Sequence, residues 1–241
     1  MRKENGKLST WKIVWKTAVL LLLLLMTSCV GLYLLAPDVE HLKKKNPKST
    51  SFIEIRNGER AKRGLAKVRI NTWVRYSAFP DHLVQAVRIA EDDRFFQHNG
   101  FDLKQLWEAL KDKISGGKRL RGASTITQQL AKNLFLSGSR SIIRKALEIP
   151  IAIKLERELS KKRIFEIYLN VIEFGDGIFG IETAANYYFR KHTWQLSVNE
   201  AIFLAALIKR PIYFQKHQDS RSFLFRQDLI LERMAIYGYI E

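Results

Sequence analysis

Two short stretches decide the fold of this chain: residues 91–100 read EDDRFFQHNG, and residues 122–133 read GASTITQQLAKN. The first follows apolar residues at helical spacing, among them Leu83 and Val87, and so predicts a helix that ends at Glu91. The second begins with small and hydroxylated residues that suit the start of a helix. One stretch supplies a candidate proton acceptor and the other supplies neutral donors and a cation, a pairing that favours group transfer from an anionic leaving group.

The periodicity of the remaining chain is also helical, and strand signals are few. A proline is expected to kink or interrupt one helix, and closely spaced glycines are expected to mark one turn. The expected helices cover residues 101–114, 124–136, 141–149, 151–174, 181–189, 197–207 and 221–238, with Pro150 between two of them and the turn at Gly175, Gly177 and Gly180. Ser124 or Thr125 is the expected N-cap of the helix at 124–136. The sequence therefore predicts a mainly α protein.

Composition limits the partners of the chain without choosing among them. The 241 residues carry a formal net charge of +17, which predicts an anionic partner: nucleic acid, anionic lipid headgroups or a phosphorylated substrate. Nucleic acid is disfavoured because the sequence contains no recognised nucleic-acid module and its aromatic residues do not interleave with the basic ones. The single cysteine, Cys29, excludes an internal disulfide.

An apolar segment near the N-terminus predicts a membrane anchor. Residues 17–36 contain no charge and, at about 1.5 Å per residue, a helix of this length spans about 30 Å, the thickness of a bilayer core. Basic residues and two tryptophans precede it, which favours a cytoplasmic N-terminus and an exported C-terminal part. Lysines at 43–45 oppose that orientation, and Cys29 faintly suggests lipoprotein processing, but the apolar run continues past it.

The expected organisation has four parts. Residues 1–16 form a basic cytoplasmic N-terminus, residues 17–36 the transmembrane helix, residues 37–70 a linker or stalk, and residues 71–241 the catalytic domain.

The candidate acid–base residues each have a structural alternative. Glu91 follows an apolar helix and precedes two phenylalanines, and a partly buried carboxylate in such a place suits proton transfer. Alternatively, it is a solvated carboxylate at a helix end, paired with Arg94. His98 is interpreted as a structural hydrogen-bonding residue or as a substrate contact. Metal-ligand spacing is missing around Asp92.

A basic cluster follows the second stretch. Lys132 and Arg140 flank a loop, with Arg144, Lys145 and Glu148 one to two helical turns further on. Arginine offers forked hydrogen bonds and lysine a point charge, so the cluster is suited to a pyrophosphate. The alternative is an exposed basic face with ordinary Lys/Glu pairing.

Several blocks in a fixed order resemble the motifs of the peptidoglycan glycosyltransferases, glycosyltransferase family 51. Besides the two opening stretches, they comprise Arg140-Ser141-x-x-Arg144-Lys145-x-x-Glu148 and residues 161–189, KKRIFEIYLNVIEFGDGIFGIETAANYYF. The similar region runs from about residue 79 to 214, without a penicillin-binding domain after it. The chain therefore resembles the monofunctional members. This resemblance implies a lysozyme-like helical fold with a smaller, mobile lobe.

The resemblance also implies a substrate and residue roles. The substrate is lipid II, a disaccharide-pentapeptide on undecaprenyl pyrophosphate, which is polymerised into glycan strands on the outer face of the cytoplasmic membrane. Glu91 matches the general base, Lys132 and Arg140 the cations at the departing pyrophosphate, and Glu148 a glutamate that orients them. The positions that match the substrate-binding lining are Ser124, Thr125, Gln128, Gln129, Arg144, Lys145 and His98. Ala123 stands where the family usually has glycine, which puts the local backbone geometry in doubt.

The resemblance implies the membrane, the nascent glycan and other cell-wall synthesis proteins as partners. It implies no fixed cofactor, although a divalent cation, Mg²⁺ or Mn²⁺, at the pyrophosphate stays open. Two rival functions also stay open: a membrane-tethered lytic glycosidase, which has no use for Lys132 and Arg140, and a scaffold that only binds anionic wall polymer or lipid. In the scaffold Glu91 would be dispensable.

Overall fold

The computed structural model describes residues 4–102, 104, 107, 111, 124–136 and 142–240. The chain divides into two compact units, Met1–Pro37 and Asp38–Glu241. Ala123, Arg140 and most of the helix predicted at 101–114 lie outside the described residues.

The first unit is a single helix, α1, at Glu4–Leu35. Its segment Val14–Leu35 has 22 residues and a mean hydropathy of 2.5, enough by length and composition to cross a membrane. Trp11 and Trp15 are exposed near the start of this segment. The expected apolar helix is therefore present, beginning three residues earlier than predicted.

The second unit is mainly helical, as predicted. Its helices are α2 (Ser51–Lys62), α3 (Asp81–Glu91), α4 (Ile126–Phe135), α5 (Ile142–Glu158), α6 (Lys161–Val171), α7 (Ile181–Phe189), α8 (Val198–Leu207), α9 (Pro211–Lys216) and α10 (Arg221–Ile236). Two short strands, β1 (Glu173–Gly175) and β2 (Ile178–Phe179), form an antiparallel hairpin between α6 and α7.

The core forms where two groups of helices bury their apolar faces. Helices α3, α8 and α10 pack on one another, and α4 packs against α5 and α6. In α3, the predicted apolar positions Leu83 and Val87 are fully buried, so the helix presents one apolar face to the core. Phe95, just after α3, lies 5.8 Å from Phe165 of α6, ring centroid to ring centroid. These contacts fix the end of α3, where Glu91 lies.

The interval expected to be a linker contains α2, which belongs to the second unit. Thr50 caps this helix by accepting a hydrogen bond from the Ile53 backbone N–H at 3.1 Å. Helix α2 packs against α4. Two arginines attach it to the hairpin: Arg56 pairs with Glu173 at 2.9 Å, and Arg60 pairs with Asp176 at 3.1 Å. Apolar residues are sparse in α2, which is why its sequence resembled a linker.

The predicted long helix over residues 151–174 is wrong, because the structure divides this interval. Helix α5 ends at Glu158, and α6 begins after Ser160, whose side chain accepts a hydrogen bond from the Arg163 backbone N–H at 3.2 Å. Pro150 does not interrupt α5. A proline inside a helix costs about 3 kcal/mol, and the burial of Ile151, Ala152 and Leu155 beyond it offsets that cost.

The predicted glycine turn is confirmed and ends at a tight helix junction. Gly177 and Gly180 have positive φ angles of 77° and 84°, a region that favours glycine. A Cβ atom at Gly180 would lie 2.8 Å from the Asn170 carbonyl oxygen. The hairpin therefore returns closely onto α6, which places Glu173 in a buried position at the start of β1.

Candidate active site

Glu91 is buried at the C-terminal end of α3, and both of its oxygens have partners. The residue is 6% exposed. Its Oε1 accepts a hydrogen bond from Arg226 Nη2 at 2.7 Å, and its Oε2 accepts one from Gln129 Nε2 at 2.7 Å. The prediction that Glu91 ends a helix is confirmed, and the alternative of a solvated carboxylate paired with Arg94 is wrong. These two hydrogen bonds fix the position of the carboxylate at the end of α3.

Arg226, on α10, is the main residue of this site that the sequence did not predict. It also donates a hydrogen bond to the Ala90 carbonyl at 3.1 Å, so Arg226 forms two hydrogen bonds with the last residues of α3. Burial lowers the pKa of Arg226, and the charge of Glu91 opposes that shift. An arginine in an amphipathic C-terminal helix looks like a surface residue, so no local signal marks it.

Gln129 is oriented by a buried tyrosine. Tyr168 on α6 is fully buried and donates its hydroxyl hydrogen to Gln129 Oε1 at 3.0 Å. Burial raises the pKa of Tyr168 well above its ordinary value, so the hydroxyl group remains a donor. Because the amide oxygen is occupied, the amide nitrogen of Gln129 faces Glu91. Gln129 therefore holds the carboxylate as well as lining the cleft.

Two residues expected to bind substrate instead build the start of α4. Thr125 is its N-cap, and Thr125 and Gln128 form a reciprocal capping box, each side chain accepting from the other residue's backbone N–H at 3.3 Å. The Thr125 hydroxyl also donates to the Gly100 carbonyl at 2.7 Å. Thr125 is 2% and Gln128 7% exposed. The structure thus places both in the framework that positions Gln129 and Lys132.

His98 occupies a structural position. Its Nε2 lies 2.9 Å from Asp92 Oδ1, and its side chain is 8% exposed. Asp92 Oδ2 accepts a hydrogen bond from the Ile126 backbone N–H at 3.0 Å, so Asp92 links His98 to the first turn of α4. His98 is not among the described residues that line the active-site cavity.

Glu148 holds the basic side chains of α5. It is 3% exposed, and its two oxygens face Arg144 Nη1 at 3.2 Å and Lys145 Nζ at 2.5 Å. Lys145 Nζ also donates to the Ser124 hydroxyl at 2.9 Å, which connects α5 to the residue before the Thr125 cap of α4. The alternative predicted ordinary Lys/Glu pairing, and these two pairs are of that kind. The buried carboxylate at their centre distinguishes the cluster from a fully exposed basic face.

Lys132 on α4 faces the same cleft. Burial lowers its pKa, and the charge of Glu148 partly offsets that shift. Within the part of the chain that the structure describes, the ammonium group of Lys132 forms no hydrogen bond or ion pair. A partly buried ammonium group with its donors uncommitted is suited to bind an anion from solution.

One cavity of about 390 Å³ brings these residues together. Of the residues predicted for the site, seven line it: Glu91, Ser124, Gln129, Lys132, Arg144, Lys145 and Glu148. Ile208 and Lys209, between α8 and α9, complete the wall and were not predicted. The cavity therefore contains two buried carboxylates, Glu91 and Glu148, and four basic side chains, Lys209 included. Such an arrangement can accept a proton at one side while neutralising charge on a leaving group at the other.

The fold and the cavity together define a class of protein, a helical group-transfer enzyme that handles an anionic leaving group. The chain belongs to the transglycosylase family, whose model matches residues 58–235. This region contains every described residue of the cavity.

Similar proteins carry consistent names. A biosynthetic peptidoglycan transglycosylase of Thiobacillus denitrificans is 42% identical over 190 residues, covering 79% of this chain and 82% of the relative. One of Nitrosomonas eutropha is 38% identical and covers 96% of this chain and 93% of the relative. Penicillin-binding protein 1A of Aquifex aeolicus is 38% identical over 90% of this chain but only 30% of its own length.

Proposed function

We propose that this chain is a peptidoglycan glycosyltransferase that polymerises lipid II into glycan strands for the bacterial cell wall. The observation that carries the proposal is the shared cavity, in which the carboxylate of Glu91 and the cations of α4 and α5 line one space. Family membership and the names of the similar proteins support the same reaction.

In the proposed reaction, Glu91 acts as the general base. The GlcNAc 4-hydroxyl oxygen of lipid II attacks the anomeric carbon at the end of the growing chain, and its proton passes to Glu91. The bond from that carbon to the pyrophosphate oxygen breaks, and its electron pair leaves with undecaprenyl pyrophosphate. Attack opposite the leaving group inverts the anomeric carbon and requires the base and the cations on different sides of that carbon. Glu91 and the basic residues of α5 reach the cavity from different helices, which is compatible with this requirement.

The basic side chains receive the negative charge that develops on the leaving group. Lys132 has no competing partner among the described residues and makes the first contact in this proposal. Arg144 and Lys145 are held by Glu148 before substrate arrives, so little reorganisation is needed during the reaction. Glu148 is therefore a positioning residue, which deepens the orienting role expected from the sequence. Arg140 remains a predicted cation of the same site.

A divalent cation at the pyrophosphate finds no support in the described lining of the cavity. Its two carboxylates already have partners, since Glu91 faces Arg226 and Gln129 while Glu148 faces Arg144 and Lys145. A hard cation takes several free oxygen ligands. The described lining of this cavity does not fit a metal held by the protein there, so the reaction is derived without one. Polymerisation that survives a chelator would agree with this, and an absolute requirement for Mg²⁺ would contradict it.

The proposal places the catalytic unit on the outer face of the cytoplasmic membrane, anchored by α1. A lipid-borne substrate is met at the bilayer surface, and the basic residues before α1 favour a cytoplasmic N-terminus. Other cell-wall synthesis proteins are also proposed as partners, because the family resemblance implies them. A reporter fused to the C-terminus, active only outside the cytoplasm, tests the orientation.

The decisive experiment incubates detergent-solubilised protein with labelled lipid II and reads product size on a gel. The wild type is expected to make high-molecular-weight glycan, and Glu91→Gln none. A wild type that makes no polymer, where an established polymerase succeeds, would overturn the proposed function. Cleavage of finished glycan by the same protein would then favour the lytic alternative, and retention of glycan without turnover would favour the scaffold.

A further inference from the structure

The segment between α1 and α2, residues 38–50, is built into the second unit. Val39 and Leu42 are each 1% exposed. Arg163 of α6 donates hydrogen bonds to the Leu42 carbonyl at 2.9 Å and to the Lys45 carbonyl at 3.0 Å. These contacts fix the backbone of the segment, while the side chains of its lysines remain exposed.

Arg163 also brings a second part of the chain to this segment. Its guanidinium carbon lies 5.4 Å from the ring centre of Trp73. The next residue of α6, Lys162, has its Nζ 5.6 Å from the ring centre of Tyr76. The exposed cations around Arg163 are called the basic patch here: Lys44, Lys45, Lys48, Arg75 and Lys162.

Four acidic side chains near the basic patch already have basic partners. The pairs are Asp38 with His41 at 4.0 Å, Glu40 with Lys43 at 3.6 Å, Glu158 with Lys43 at 2.7 Å, and Glu166 with Arg163. Within the described part of the chain, the five members of the basic patch form no ion pair. Their charge is therefore available to an external anion.

The chain connection keeps the basic patch near the bilayer in which α1 is proposed to lie. Lys44 is nine residues beyond Leu35, the last residue of α1, and nine residues span at most about 32 Å. An anionic leaflet attracts lysine and arginine side chains near its surface. Lysines after an apolar span oppose export, and a headgroup-binding role gives a reason for their presence at residues 43–45.

We propose that the basic patch binds the phosphate groups of anionic phospholipids and so holds the catalytic unit against the membrane surface. The proposal rests on the anchoring by α1 proposed above and not on the glycosyl transfer. A zwitterionic headgroup carries a compensating ammonium group, so the patch prefers phosphatidylglycerol to phosphatidylcholine. Because the cations are exposed to solvent, the preference falls as the salt concentration rises.

Two matched double substitutions test the basic patch. Lys44→Gln/Lys45→Gln removes two of its charges, and the control, Lys216→Gln/Arg221→Gln, removes two exposed charges from α9 and α10. Detergent-solubilised, full-length proteins are titrated with phosphatidylglycerol or with phosphatidylcholine, and the bound lipid is counted by native mass spectrometry. The wild type and the control are expected to bind phosphatidylglycerol more tightly than phosphatidylcholine. Each lysine near an anionic surface contributes roughly fivefold, so Lys44→Gln/Lys45→Gln is expected to bind phosphatidylglycerol roughly 25-fold more weakly than the wild type.

A conservative variant separates loss of charge from loss of structure. Lys44→Arg/Lys45→Arg keeps both charges and is expected to bind phosphatidylglycerol as the wild type does. Equal affinity of the wild type for the two lipids would overturn the proposal, and so would an equal loss of binding in the control. Displacement of phosphatidylglycerol by an excess of inorganic phosphate would overturn it too, because the patch would then be a general phosphate site.

Polymerisation of lipid II is measured in parallel. In Lys44→Gln/Lys45→Gln the KM for lipid II is expected to stay near the wild-type value, because the basic patch lies outside the active-site cavity. A KM that rises as much as phosphatidylglycerol binding falls would assign these lysines to the substrate site and overturn the proposal. A wild type that makes no polymer would refute the proposed function and leave the lipid preference measurable.

Discussion

Replacing Glu91 by glutamine is expected to reduce stability as well as activity, because the replacement removes the counter-charge of a buried arginine. The side chains of Glu91 and Arg226 are each 7% exposed and lie 2.7 Å apart. Removing one partner of such a buried pair costs about 3–5 kcal/mol, since the other charge is left uncompensated. Glutamine can still accept a hydrogen bond from Arg226, so we expect about 3 kcal/mol, the low end.

A second substitution separates the two effects. In Glu91→Gln combined with Arg226→Met, no buried charge remains unpaired, so most of the lost stability is expected to return while activity remains absent. For a domain of about 200 residues, 3 kcal/mol corresponds to a fall in Tm of roughly 6–12 °C. The assay is thermal unfolding followed by circular dichroism on detergent-solubilised proteins, with polymerisation measured in parallel.

Asp228→Asn is the control, because Asp228 is an exposed acid on the same helix as Arg226. Its Tm is expected to stay near that of the wild type, since exposed charges contribute little. The reasoning is refuted if Glu91→Gln is as stable as the wild type, or if adding Arg226→Met fails to raise the Tm of Glu91→Gln. Polymerisation by Glu91→Gln would instead refute the role of Glu91 as the base.

Three further predictions address other parts of the site. Lys132→Ala is expected to lower kcat roughly hundredfold, because a cation is lost where charge develops; a wild-type turnover of lipid II would contradict this. Thr125→Ala removes the α4 cap, which is worth about 1 kcal/mol, and should lower the Tm in thermal unfolding by roughly 2–4 °C. The pKa of Glu173 is raised from 4.5 to about 6, so its contribution to stability is full below 4.5 and is lost as pH rises through 6, by about 2 kcal/mol. Denaturant unfolding at several pH values should show this slope in the wild type and a flatter one in Glu173→Gln.

Local sequence predicted most of the helices, because apolar periodicity and caps act over a few residues. Helix α3 ends at Glu91, and α4 begins after its Thr125 cap, as expected. The prediction failed at residues 151–174, where two helices share one continuous apolar pattern and only the Ser160 cap divides them. It also missed α2, whose attachment depends on ion pairs with residues more than a hundred positions away.

The sequence by itself determined the membrane-length helix, the mainly α fold and which residue types meet at the site, since these follow from composition, periodicity and motif order. It also predicted that Gln129, Lys132 and Glu148 belong to the site. It could not separate these residues from Thr125 and Gln128, which form the capping box of α4. Only the tertiary structure decided that Arg226 neutralises Glu91 and that Lys209 lines the active-site cavity. The physical reason is that a charged side chain takes its role from its burial and its distant partners, and chain folding alone sets both.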